Sequence, residues 1–208
     1  MNAVWKIIEL VKAYPNQIEM VCLGPLTNLA LAIRLEPTLP RLLKRVVVLS
    51  GTLKDLDTKV DRAVDWNIEK DPEAATIVFE ALKVKQGSQK PKLLMVPWEV
   101  CISTELSWDF YKGLVYADPN EYNSLLKKIT HRFGSRTVKL TYREKYPWQV
   151  ITGDAMALSA LLDYRMITKS RPLHVSIDRN GPLSRGRSVI DWSDEANWVT
   201  AQVVLSIN

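Results

Sequence analysis

The sequence has little of what marks a cross-linked, metal-stapled or membrane-embedded protein. Its 208 residues include only two cysteines and two histidines. Cys22 and Cys101 stand singly, each within or just after an apolar run. That excludes a disulfide framework and a zinc-type spacing, and both read as small buried hydrophobes. No apolar run approaches the ~20 residues that a bilayer span needs. Lys6, Glu9 and Lys12 interrupt the first apolar residues, so the start does not read as a signal peptide. A reducing, cytoplasmic location and no membrane partner are therefore expected. Internal repeats, low-complexity tracts and clear linkers are missing too, which predicts one domain over residues 1–208.

Charge excludes a further class. The formal net charge is +5, with 47% hydrophobic and 25% charged residues, as in an ordinary globular protein. Basic residues are scattered, apart from the segment 83–92 and the pair Arg185 and Arg187. A nucleic-acid binder gathers them on one face or along one helix, so no nucleic-acid partner is expected.

What is present is an alternation of short apolar runs and helical patterns. Residues 18–23 form a run of the kind shown by a parallel strand buried on both faces. Gly24-Pro25 breaks it, and Leu26, Leu29, Ala30 and Ile33 then recur at helical spacing. Earlier, Asn2 is placed to cap a helix that presents Val4, Ile7, Ile8 and Val11 on one face. Later strands are predicted at 46–49, ending on Ser50-Gly51, and at 93–96, closed by Pro97-Trp98. Asp71 caps a helix with Pro72 at its first position. Ser103 or Thr104 is placed to cap a helix reaching Leu114, Asp118-Pro119 opens another, and residues 138–142 and 155–162 follow as helical. Strands at 173–177 and 188–192 flank Asn180-Gly181, and 199–207 reads as a last strand.

This order predicts an α/β fold, a mainly parallel twisted sheet with helices on both faces. Ligands of such sheets lie outside the carboxyl ends of the strands, so the Leu23-Gly24 corner is a candidate site wall, with the strand ends at Ser50-Gly51 and Pro97-Trp98 expected on the same edge. The polar stretch 52–64 reads as a loop at one of these ends, where function tends to sit.

Three ordered blocks carry a resemblance. Leu23-Gly24-Pro25-Leu26-Thr27-Asn28-Leu29-Ala30 resembles the internal signature of the inosine-uridine-preferring nucleoside hydrolases. Asp65-Trp66-Asn67-Ile68 with Asp71-Pro72-Glu73-Ala74-Ala75 looks like the family's Glu-Phe-Asn block and the helix after it. Gly153-Asp154-Ala155 with Ala160-Leu161-Leu162-Asp163 looks like its late His-Asp block. The similarity covers nearly the whole chain and points to the animal-type branch.

The resemblance implies cleavage of a ribonucleoside to ribose and free base. It also implies a calcium ion that chelates the ribose diol and the attacking water, and an aspartate base from an N-terminal Asp-rich motif. Calcium takes six to eight oxygen ligands, and hydrolysis needs a carboxylate for the water's proton. By resemblance, Asp65 and Asn67 are substrate-binding residues, Asn67 donating to the sugar, with Trp66 as an aromatic wall. Asp154 and the backbone carbonyl of Leu23 are metal ligands of an incomplete set. Asp154 also reads as the cap of the helix that starts at Ala155.

Departures from the family pattern set the remaining expectations. No Asp-X-Asp-X-X-X-Asp-Asp cluster occurs in the chain, so the family base is expected upstream of Met1 and no catalytic residue is assigned here. Gly153 stands where the best-known branch has histidine, and Lys59 where a sugar-binding asparagine is expected. Ser50 replaces a methionine. Asp55, Asp57 and Asp61 form a loop cluster elsewhere, and His131 and His174 read as surface or packing residues. The expectation is a chain incomplete at its N-terminus, weakly active or inactive, that does not hold calcium alone. Its partners would be a ribonucleoside and a second copy or a full-length homologue. The alternative is a non-catalytic homologue that binds nucleosides or dimerises.

Overall fold

The computed structural model describes residues 2–53, 64–104, 107, 109–110, 113, 152–193 and 195–208. The chain divides into two compact units, residues 1–101 with 153–208, and residues 102–152. Leu114, the helix expected at Asp118-Pro119, residues 138–142, Asp55, Asp57, Lys59, Asp61 and His131 lie outside the described residues.

The first unit opens with α1 (Ala3–Ala13), capped as expected by the Asn2 carboxamide, which accepts from Val4 N at 2.9 Å. Then come β1 (Glu19–Cys22), α2 (Thr27–Leu35), α3 (Leu39–Leu42), β2 (Arg45–Leu49), α4 (Trp66–Lys70) and α5 (Pro72–Ala81). After them run β3 (Val84–Lys85), β4 (Leu93–Val96) and α6 (Trp98–Ser103). The second pass gives α7 (Gly153–Leu162), a 3-10 turn (Tyr164–Met166), β5 (Ile167–Ile177), β6 (Ser188–Asp191), β7 (Trp198–Val199) and β8 (Ala201–Ile207).

Six strands make one sheet in the order β1-β2-β4-β8-β5-β6. The β1–β2, β2–β4 and β4–β8 pairs are parallel, β5 runs antiparallel to β8, and β6 pairs antiparallel with β5 in turn. The register sets Cys22 beside Val48 and Leu49 beside Val96, so the carboxyl ends of β1, β2 and β4 share one edge. The mainly parallel α/β fold read from the alternation is therefore the fold observed.

Side-chain alternation along β2 puts the core on both faces of the sheet. Val46 and Val48 pack with Ile8 and Val11 of α1, Leu29 and Ile33 of α2, and Val78 and Phe79 of α5. Val47 and Leu49, also buried, point the other way, the side on which α7 lies against β2 and buries Met156, Ala157 and Ala160. Burying such a side chain removes it from water at about 1.5–3 kcal/mol each, and this burial is what holds the strand ends in line.

Three differences from the sequence reading have physical causes. β1 is half-buried along its whole length, not fully buried, because it is the first strand in the sheet order and has β2 on one side. A helix, α6, starts directly after β4, so Ser103 ends one helix where it was read as the cap of the next. The last strand is split at Thr200, whose backbone N–H turns to Leu173 O while its buried hydroxyl bonds both the N–H and the C=O of Val175. Among the described residues no helix is long and apolar enough to cross a membrane.

Candidate functional site

At the carboxyl end of β2 the chain turns sharply at Gly51, whose φ of +86° lies in the left-handed region that L side chains disfavour. A Cβ there would fall 2.2 Å from Met95 Cε and 3.3 Å from Ser188 Oγ. Gly51→Ala is accordingly expected to cost about 2 kcal/mol, the left-handed penalty plus a displaced Met95, readable as a lowered midpoint in urea unfolding.

Asp65 enters the site as the cap of α4. Its Oδ1 accepts from Asn67 N at 3.0 Å and Ile68 N at 3.1 Å, satisfying two of the first-turn amides. The Gly51 amide also donates to this carboxylate. Burial nevertheless dominates and pushes the Asp65 carboxyl up to about 6, with the charge of Glu99 adding to the rise and the three amides opposing it.

Asn67, the second residue of α4, spans two strand ends. Its Nδ2 donates to Leu49 O at 2.8 Å and to Leu23 O at 3.3 Å. Two carbonyl acceptors fix the amide orientation, since an oxygen cannot face them. Asn67 therefore donates to the main chain, and the atom left to meet a ligand is the acceptor Oδ1. This differs from the donor role that the resemblance implies.

The late block arrives at the same corner. A Cβ built on Gly153 would meet Leu49 Cδ2 at 3.3 Å and Cys101 Sγ at 3.5 Å. Leu49 thus touches Asn67 through its carbonyl and Gly153 through its side chain. Asp65, Asp154 and Glu99 all act on the Cys101 thiol, which burial first and these charges second push up to about 12. Asp65, Asn67, Asp154 and the Leu23 carbonyl thus lie around the carboxyl ends of β1, β2 and β4. Asp154 is exposed and is the second residue of α7, so it complements the helix dipole rather than capping the helix.

Trp66 is 67% exposed, with Lys70 Nζ 3.9 Å from its ring centroid. That cation lies against the ring in solvent, worth about 0.5–1 kcal/mol. His174 stands opposite Asp191 in the β5–β6 register. Sequence reasoning missed Glu99 and Ser188 as site residues, and took Gly51 only as the end of the second predicted strand. Only the Gly51 turn left a trace in the sequence, as the break after an apolar run.

Calcium does not fit the described residues. No group of three or more His, Cys, Asp or Glu side chains among them is placed to hold a metal ion. The Leu23 carbonyl, the one main-chain ligand implied, accepts from the Asn67 amide and has one lone pair left for a metal. A hard cation that takes six to eight oxygens is not satisfied by Asp154 and that carbonyl.

The family model described as inosine-uridine preferring nucleoside hydrolase matches residues 1–208. The chain belongs to that family. The inosine-uridine preferring nucleoside hydrolase of Crithidia fasciculata is 27% identical over 192 residues, covering 92% of this chain and 56% of that protein. Uridine nucleosidase 1 of Arabidopsis thaliana is 44% identical over 71 residues, 34% of this chain and 21% of that one. Among solved structures, an inosine-guanosine nucleoside hydrolase superposes with TM-score 0.82 at 26% identity, over 100% of this chain and 63% of that one. The chain thus spans little more than half the length of the nucleoside hydrolases that it matches along its whole extent.

Proposed function

We propose that this chain carries the sugar-facing part of a ribonucleoside hydrolase site. Asp65 accepts from a ribose hydroxyl, Asn67 presents Oδ1 to a second, and the face of Trp66 away from Lys70 stacks on the base. The observation that supports this most is the convergence of Asp65 and Asn67 on the ends of β1 and β2. Two acceptors on one rigid helix start suit a diol, whose hydroxyls both donate, and the half-buried carboxylate gains most from such donors.

The described residues do not complete the reaction. They supply no calcium set, and Gly153 gives the leaving base no proton. The reading is therefore of a weakly active or inactive form that does not hold calcium alone, with association with a second copy or a longer homologue as the route to a whole site.

Calorimetric titration with inosine and uridine tests the assignment. Asp65→Asn is the informative variant, because asparagine caps α4 nearly as well as aspartate. The unmodified chain is expected to bind both nucleosides, and Asp65→Asn at least tenfold more weakly. Equal affinities would overturn the role given to Asp65.

A further inference from the structure

The turn that feeds the site is held from a distant strand. Ser188, the first residue of β6, is 6% exposed, and its Oγ accepts from Thr52 N at 2.9 Å. The same hydroxyl donates to Thr52 O at 3.0 Å, across a separation of 136 residues. One hydroxyl thus engages both polar groups of a single residue, which fixes the direction of the chain at that point. Ser188 Oγ also lies 3.3 Å from where a Cβ of Gly51 would stand, so it packs against the α-carbon of the left-handed residue.

Gly51 passes the constraint on in two directions. Its carbonyl accepts from Trp98 N at 3.0 Å, tying the turn to the start of α6. Its amide faces Asp65. The Ser188 backbone is itself fixed by pairing with Ile177 in the hairpin, and β5 is paired with β8. A short chain of bonds therefore runs from the antiparallel end of the sheet to the carboxylate.

We propose that Ser188 is a positioning residue: from β6 it locks the Gly51–Thr52 turn in the one conformation that presents the Gly51 amide to Asp65. A hydroxyl placed only to satisfy a buried serine would stabilise the fold without governing Asp65. The functional consequence rests on the reading of Asp65 as a sugar contact, whereas the positioning itself does not.

The test uses the full chain without nucleoside. Amide hydrogen exchange is measured at Gly51, and the Asp65 carboxyl is titrated by carbon NMR, in Ser188→Ala, Ser188→Thr and Val189→Ala. In Ser188→Ala, exchange at Gly51 should quicken about tenfold more than at the core strand residue Val47. The Asp65 titration should move upward by about half a unit or more, since a hydrogen bond to the charged form is loosened. The groups acting on Asp65 from other elements, Glu99 on α6 and the amides of Asn67 and Ile68, are the same in every variant. Ser188→Thr keeps the hydroxyl and should titrate as the unmodified chain does. Val189→Ala removes a half-exposed neighbour on the same strand and should also leave Asp65 unmoved. An unchanged Asp65 in Ser188→Ala, or an equal shift in Val189→Ala, would overturn the proposal. If Ser188→Ala shifts Asp65 while Asp65→Asn binds nucleosides normally, the positioning role stands and the sugar-contact reading falls.

Discussion

Incubated with inosine or uridine, this chain is expected to release free base at least ~10⁴-fold more slowly than the longer nucleoside hydrolases it matches, and added calcium should not raise the rate. The expectation follows from counting groups. Loss of a general base costs about 10²–10⁴ in rate. Failure to hold the water and the diol in register costs more, because correct placement of reactants supplies up to roughly 7–11 kcal/mol. Asp65 does not make good the base. It caps α4 through two amides and takes a third from Gly51, so three of its roughly four acceptor sites are used and the one left is assigned to the sugar. Asp154 is a carboxylate at the right end of the sheet, but among the described residues no cluster joins it to fix a metal-bound water. Release measured with and without calcium, and again with chelator, checks the point. Fast turnover that chelator abolishes would show a complete ion site in the chain and contradict the expectation.

A second large effect concerns pH. The Asp65 carboxyl is pushed up to about 6 from an ordinary 3.8. A raised carboxyl means that the folded chain binds its proton more tightly than the unfolded chain does. Stability from this group is thus highest at low pH and falls as pH rises from about 4 to 6, by up to about 3 kcal/mol. Asp65→Asn removes this dependence while keeping the α4 cap. It should therefore be more stable than the unmodified chain at pH 7, by about 1–2 kcal/mol, since the amide group accepts less well from Gly51. The two should converge near pH 4. Urea unfolding at pH 4, 5, 6 and 7 provides the comparison. Parallel pH profiles would mean that Asp65 is not strained by burial. A gain in stability with a loss of binding is the trade expected where a site keeps a charge partly out of water.

The sheet was legible because its signals are local. Val46, Val47, Val48 and Leu49 are buried in sequence, and a short, β-branched apolar run suits a strand covered on both faces. Asn2 and Asp71 cap the helices assigned to them, the Asp71 Oδ1 accepting from Ala74 N at 3.0 Å. Beside that, Thr27 of the signature block donates to Asp71 Oδ2, a link over 44 residues that spacing does not reveal. The same limit applies to the site. Asp65, Asn67 and Asp154 were visible as residue types in familiar blocks, but the direction of the Asn67 amide depends on where two carbonyls end up. Gly51 showed only as a break, and Ser188 as a residue in a strand, since their roles arise from the meeting of β2, β4 and β6. β1 reads as buried because its composition matches that of β2, whereas its exposure is set by its place in the strand order.

Asp65 and Asn67 are proposed to receive the ribose of a nucleoside. This role is tested most directly by following the side-chain amide of Asn67 by nitrogen NMR, assigned with Asn67→Asp, during titration with uridine, 2′-deoxyuridine and uracil. Uridine is expected to shift that resonance, 2′-deoxyuridine to shift it less or at higher concentration, and uracil to leave it in place. A resonance that uridine does not move, or that uracil moves equally, would contradict it.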